Sequence, residues 1–136
     1  MLLGVKALVA AAVPLAEVRG FDEDTTYPET IAPDGTVMGF PGDPGQPEVD
    51  LSPIAYNYDQ EFPLEVAVPP GTPVEVLIGM LTDIGMGVAA DPTLGGLCEY
   101  LVATAPVLRD RTTNYVTGIW ADVSIIASYS TSDPLA

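Results

Sequence analysis

The sequence lacks several residue types on which enzyme chemistry most often depends. It has no histidine, a single cysteine, and only four lysines and arginines in 136 residues. Without histidine, neither a serine triad nor a cysteine–histidine pair can form. One cysteine allows no internal disulfide and no cysteine-rich zinc site, and we expect Cys98 to be a small buried apolar residue.

Familiar ligand-binding motifs are missing as well. Neither of the common glycine-rich phosphate-binding patterns occurs, and no calcium-loop pattern is present. The densest carboxylate run, Asp22-Glu23-Asp24, is interpreted as a solvated loop, with a weak divalent-cation site as the alternative. Two nearby carboxylates can act as a catalytic acid and base, but with 19 acidic residues such pairs occur by chance. They are therefore no evidence of an active site. The sequence therefore predicts no catalytic residue, no cofactor and no metal site.

Positive charge is scarce, and the formal net charge is −15. Such a chain repels phosphate, which argues against electrostatic binding of nucleic acid and against docking onto an anionic membrane. No lysine or arginine occurs from Gly20 to Leu108, a stretch that holds 15 of the 19 acids. The apolar segment over residues 1–13 is too short to span a bilayer and contains Lys6, which favours an amphipathic helix over a signal peptide.

The length favours one domain covering residues 1–136. The opening helix is predicted to end at Pro14, and the alternation in Leu15–Arg19 predicts a strand. Residues 22–53 are rich in proline, glycine and acids, which predicts a long irregular loop with a short strand at Thr36–Phe40.

The middle of the chain has clearer periodicity. Phe62–Val68 places alternate apolar side chains on one face of a strand, and Ile54–Tyr58 is predicted to pair with it through a turn at residues 59–61. A capping box at Thr72–Glu75 predicts the start of the main helix. The apolar stripe of this helix, interpreted as core, comprises Val74, Leu77, Ile78, Leu81, Ile84 and Val88.

The final third contains the strongest strand pattern. Leu97–Leu108 predicts a strand or a bent strand pair around Pro106, followed by a polar turn at residues 109–114. Ile119–Tyr129 alternates over its whole length, which predicts a long strand with one buried face and one mixed face. The predicted fold class is α+β: a mainly antiparallel sheet with one long and one short helix packed on one face, plus the long irregular acidic loop.

Three segments of the sequence together resemble a known family. They are Phe62-Pro63-Leu64-Glu65-Val66-Ala67-Val68, then Ala90-Asp91-Pro92-Thr93-Leu94-Gly95-Gly96-Leu97-Cys98-Glu99-Tyr100, and then the closing strand that runs into Ser132-Asp133-Pro134-Leu135-Ala136. They resemble the tail terminator (tail completion) proteins of long-tailed bacteriophages and related gene transfer agents, and the Asp91-Pro92-Thr93-Leu94-Gly95-Gly96-Leu97 run is the best single piece. The resemblance covers roughly residues 54–136 and the opening helix, whereas the loop at 22–53 is longer and richer in proline than the family pattern.

The resemblance implies a structural virion protein and not an enzyme. Such proteins are expected to form a homohexameric ring that stops polymerisation of the tail tube protein and joins the tube to the head-side connector. The ring would lie at the head-proximal end of the phage tail, after assembly in the host cytoplasm, and would let DNA pass without specific binding. The alternatives are another head-to-tail part, such as a stopper or a tube subunit, or a secreted acidic β-rich binding module.

Four residues are candidates for contacts with a neighbouring subunit or partner. Trp120 and Ile126 lie on the mixed face of the last strand, and tryptophan is enriched at interface anchors. The alternative for Trp120 is a core position under the helix. Arg109 and Arg111 are interpreted either as partners for the acids of a neighbouring subunit or as solvated turn residues.

The acidic residues have a role under the ring hypothesis. Carboxylates along a channel repel phosphates and remove the counterion-release gain that makes DNA bind. We therefore predict that part of the acidic surface faces the channel. The candidate channel-facing or loop acids are Asp22, Glu23, Asp24, Asp59 and Glu61.

Overall fold

The computed structural model describes residues 2–21, 31–41, 46–51, 54–110 and 118–131, which form two helices and a seven-stranded sheet. The predicted α+β class is confirmed. The helices are α1 (Leu2–Ala12) and α2 (Val74–Ala90). The strands are β1 (Glu17–Gly20), β2 (Thr36–Gly39), β3 (Glu48–Leu51), β4 (Ile54–Val68), β5 (Tyr100–Ala103), β6 (Val107–Asp110) and β7 (Ile119–Thr131).

Two long antiparallel strands form the centre of the sheet. β4 and β7 pair continuously from Tyr56–Thr131 to Val68–Ile119. On one side, β2 and β3 pair with successive parts of β4, and β1 lies parallel to β2. On the other side, β5 and β6 pair with successive parts of β7. The sheet therefore has β1 and β3 along one edge, and β5 and β6 along the opposite edge.

The main core lies between one sheet face and the helices. The alternating residues Phe62, Leu64, Val66 and Val68 are at most 1% exposed, which confirms the predicted strand face. The complementary residues of β7 line the same core, and α2 adds Leu77, Met80, Ile84 and Val88. Each large aliphatic side chain buried in this way contributes about 1.5–3 kcal/mol.

A second, smaller core lies on the opposite sheet face. Trp120 is directly opposite Ala67 in the β4–β7 register, and both are fully buried together with Ile31. A side chain at Gly118 would collide with Ile31, because a Cβ there would lie 2.3 Å from the Ile31 Cδ1 atom. Trp120 is therefore a core residue, but it does not lie under the helix.

The sequence-based prediction is wrong for two strands, β4 and β3. β4 is one continuous strand of 15 residues, so residues 59–61 form no turn. Their polar side chains reflect a solvent-facing strand side, because Asp59 and Glu61 alternate with residues of the other face. β3 lies inside the segment predicted to be irregular, where Glu48–Leu51 alternates acidic and apolar residues. The short strand predicted at Thr36–Phe40 is confirmed as β2.

The start of α2 also differs from the prediction. The helix begins at Val74, its N-cap residue is Pro73, and no side chain caps the first turn. The helix continues through three glycines, Gly79, Gly85 and Gly87, to Ala90. At one of them, Gly87, a Cβ would lie 3.2 Å from the Ala12 Cβ atom, so this glycine allows α1 to approach closely.

The bent strand pair around Pro106 is confirmed as β5 and β6. Arg109 belongs to β6, where it pairs with Trp120, and not to the predicted turn. The other residues of that turn, including Arg111, lie outside the described residues.

Candidate assembly surfaces

The sheet face that points away from the helices concentrates carboxylates. Its side chains come from the odd-numbered residues of β4 and the even-numbered residues of β7, and apart from Ala67 and Trp120, which are buried with Ile31, we call it the open face. β3 adds two more acids, because it pairs with the end of β4. The acids of the open face are Glu48, Asp50, Asp59, Glu61, Glu65 and Asp122.

Hydroxyl groups on β7 hold two of these carboxylates in place. The Ser128 hydroxyl donates to the Asp59 Oδ1 atom over 2.5 Å, and the Ser124 hydroxyl donates to the Glu61 Oε1 atom over 2.6 Å. Hydrogen bonds to ionised carboxylates are stronger than bonds between neutral groups. These hydrogen bonds therefore hold the Asp59 and Glu61 carboxylates on the open face.

An amide extends this arrangement toward β3. The Asn57 Nδ2 atom donates to the Asp50 Oδ2 atom over 3.1 Å, and the Asn57 Oδ1 atom accepts from the Ser130 hydroxyl. The polar side chains of β3, β4 and β7 thus form a connected layer across three strands. This layer contains the candidate channel acids Asp59 and Glu61, whereas Asp22, Glu23 and Asp24 lie outside the described residues.

The four candidate interface residues fall in different environments. Trp120 has no exposed surface, so it offers nothing to a partner in this conformation. Ile126 is half-buried on the open face, between Glu61 of β4 and Val102 of β5. Arg109 is placed in β6 by its backbone register. Their roles in contacts between subunits remain predictions.

One end of the sheet extends past the cover of the helices. This segment, which we call the arm, consists of β3 and its partners, residues 54–57 of β4. All four residues of β3 are exposed. Three apolar side chains of the arm face solvent, with exposures of 47% for Val49, 79% for Leu51 and 56% for Ile54. Sequence reasoning missed the arm because the surrounding prolines and glycines outweighed a four-residue alternation.

Next to the arm, two tyrosines close the helix-side core. Tyr58 and Tyr129 stack with ring centroids 5.3 Å apart. Burial, followed by the neighbouring Tyr58, raises the pKa of Tyr129 above its usual value of 10.0. The stacked pair therefore marks the point at which the buried part of the sheet gives way to the exposed arm.

The opposite edge of the sheet carries an apolar groove. It lies between α2 and the β5–β6 edge, encloses about 280 Å³, and is lined by Ile78, Leu81, Thr82, Pro106 and Leu108. Ile78 is 47% exposed and Leu108 is 49% exposed. The predicted core stripe of α2 is thus only partly buried, because Val74 and Ile78 face solvent. We call this feature the α2–β6 groove.

Other kinds of site find little support in the described part of the chain. Within it, no group of three or more potential ligand side chains could hold a metal ion, and neither helix has the length and hydropathy of a membrane span. Cys98 is buried, as expected. Burial and then the Asp91 carboxylate raise the pKa of its thiol above the usual 9.0, which disfavours a reactive thiolate.

The chain matches no model of a known protein family, and no curated protein matches it either.

Proposed function

We propose that this protein is a structural component of a phage tail that forms a ring, ends the tail tube and joins it to the head-side connector. The observation that carries the proposal is the open face, a layer of carboxylates fixed by hydrogen bonds on two long strands. The resemblance of three sequence segments to tail terminator proteins supports the same role. In this role the protein is not an enzyme and needs no cofactor.

The open face suits the wall of a DNA channel. DNA binds proteins largely because basic side chains displace its condensed counterions. Carboxylates such as Asp59 and Glu61 provide no such gain, and they repel phosphates at distances within the Debye length of about 8–10 Å. DNA therefore passes such a wall without being retained. We propose that the open face lines the channel and that the helices face outward.

Ring formation requires two different surfaces on each subunit. In a closed ring, one face of a subunit contacts a different face of the next, and such heterologous contacts do not use a two-fold axis. The two edges of the sheet provide such a pair of different surfaces, because β3 and β1 lie along one edge, and β5 and β6 along the other. One side of the ring binds the last subunits of the tube. The other side does not offer the surface to which a further tube subunit would bind, so tube growth ends.

Two alternatives remain. A stopper or tube subunit would share the acidic channel wall but would contact different neighbours. The second alternative is a secreted β-rich module that binds calcium through the acidic loop, whose residues Asp22, Glu23 and Asp24 lie outside the described residues. Mass spectrometry of the native N-terminus separates this module from the virion proteins, because export would remove the first 13 residues or so.

Native mass spectrometry and negative-stain imaging test the proposal. The purified protein is measured alone and then with a candidate tail tube protein. We expect rings in one or both conditions, and tubes whose length stops increasing once the protein is added. A protein that stays monomeric in both conditions and never caps a tube would contradict the proposal. A ring whose channel is neutral or basic would contradict the assignment of the open face.

A further inference from the structure

The arm and the α2–β6 groove are exposed apolar surfaces at opposite edges of one sheet. The arm presents Val49, Leu51 and Ile54, and the groove presents Ile78 and Leu108. Each surface is too small to be unusual alone, because isolated exposed apolar residues are common. Their placement on opposite edges is what matters, since a second copy of the chain can then offer its arm to the groove of the first.

Strand register shows that the two surfaces also lie on the same side of the sheet. Leu51 pairs with Ile54, and Val49 pairs with Tyr56, which belongs to the helix-side set of β4 residues. Leu108 pairs with Ala121, which is part of the main core on the helix side. A strand added beside β6 in the plane of the sheet would therefore bring helix-side residues of the arm next to Leu108 and Ile78.

We propose that β3 of one copy joins the β6 edge of the next copy, with Val49 and Leu51 seated in the α2–β6 groove. This inference rests on the proposed ring, because it specifies how neighbouring subunits meet. β3 and β6 each contain four residues, so the two strands match in length. Exposed strand edges readily pair with another chain, and the added strand gives main-chain hydrogen bonds in addition to apolar contacts.

Charge favours this contact over a contact between two arms. The arm carries Glu48 and Asp50, both exposed, so two arms side by side would bring four carboxylates together. β6 carries one basic and one acidic residue, Arg109 and Asp110, so unlike a second arm it adds no net negative charge to the contact. Because Glu48 and Asp50 lie on the open face, arm docking also continues the acidic surface from one subunit to the next.

Disulfide trapping tests the contact directly. In a Cys98→Ala background, Leu51→Cys and Leu108→Cys are made as separate proteins and then mixed under mild oxidation. We expect the mixture to give a covalent heterodimer and each protein alone to stay monomeric on a non-reducing gel. Both substitutions in one chain should give a ladder of oligomers. The matched control is Leu15→Cys, which is as exposed as Leu51, at 79%, and should not crosslink to Leu108→Cys.

A second pair of variants avoids cysteine chemistry. Leu51→Asp places a charge on the apolar surface of the arm, and Leu108→Asp places one in the α2–β6 groove. Because burying either charge is unfavourable, each variant should weaken self-association by about tenfold or more. When the two variants are mixed, one intact arm and one intact groove remain, so a heterodimer should form but no larger species. Mixed variants that rebuild full rings, or single variants that associate like the wild type, would overturn the proposal.

The outcomes separate this inference from the proposed function. Rings that form without any crosslink between positions 51 and 108 would overturn arm docking but would still support the proposed ring. Crosslinked heterodimers from a protein that neither forms rings nor caps tubes would support arm docking and contradict the terminator role. Efficient crosslinking of Leu51→Cys to itself would show a contact between two arms, which also overturns the proposal.

Discussion

Individual glycines and buried residues show how closely the first sheet edge is packed. Phe21 is 3% exposed and adopts a positive φ of 62°, which places its ring over Gly39 of β2. A Cβ at Gly39 would lie 2.2 Å from two atoms of that ring. Side chains are therefore excluded at this position by direct contact and not by backbone conformation.

Gly39→Ala should destabilise the protein by about 1–3 kcal/mol, because the Phe21 ring must leave its buried site. The matched control is Gly79→Ala on α2, where a Cβ meets nothing within 4 Å. This control should stabilise the protein by about 0.5–1 kcal/mol, since alanine favours a helix interior. Urea unfolding of both variants provides the measurement. Equal stability of the two variants would contradict the packing described for Phe21.

The Cys98 thiol should contribute a loss of stability at alkaline pH. Its pKa is raised in the folded chain, so the folded state keeps this proton to a higher pH than the unfolded state does. The unfolding free energy therefore loses the contribution of this thiol as the pH rises from the unfolded value of 9.0 through the raised folded value. Cys98→Ala should show a shallower decline in urea unfolding above pH 9.0. Identical declines in the two proteins would exclude this contribution.

Among the elements, the long strands and the arm should differ in local stability. β4 from Tyr58 to Val68 is paired on at least one side with β7 and is covered by the helices on one face. β3 is an exposed edge strand of four residues. In hydrogen exchange of the monomer, we expect β3 amides to exchange through local opening and β4 amides to exchange only near global unfolding. Equal protection of both strands in the monomer would contradict this description of the arm.

The sequence predicted the elements whose burial is visible in local periodicity. In β7 and the second half of β4, apolar residues recur at every second position because that face packs against the helices. The first half of β4 was misread because Asp59-Gln60-Glu61 is typical of a turn, and only pairing with distant β7 makes it a strand. The burial of Trp120 depends on Ile31, far away in sequence, so no local pattern could place it.

The candidate site was predictable only in part, for a related reason. Asp59 and Glu61 were selected from the acidic segment, but the serines that position them come from β7, 63 and 69 residues away. The α2–β6 groove combines a helix stripe, which the sequence predicts as core, with a strand edge, which the sequence predicts only as part of a strand pair. Surfaces built from distant segments therefore require the register between strands, which sequence periodicity does not provide.

For the whole molecule, the location of charge should matter more than its total. The variant Asp59→Lys/Glu61→Lys places two basic side chains on the open face. The control Glu75→Lys/Asp83→Lys changes two exposed acids of α2, on the helix side, and raises the net charge of −15 by the same four units. Rings of the first variant should retain DNA, with retention falling steeply as salt increases, whereas control and wild-type rings should not. DNA retention is measured on purified rings by filter binding over a salt series. If both double variants retain DNA equally, the open face does not line the channel, and total charge governs the interaction instead.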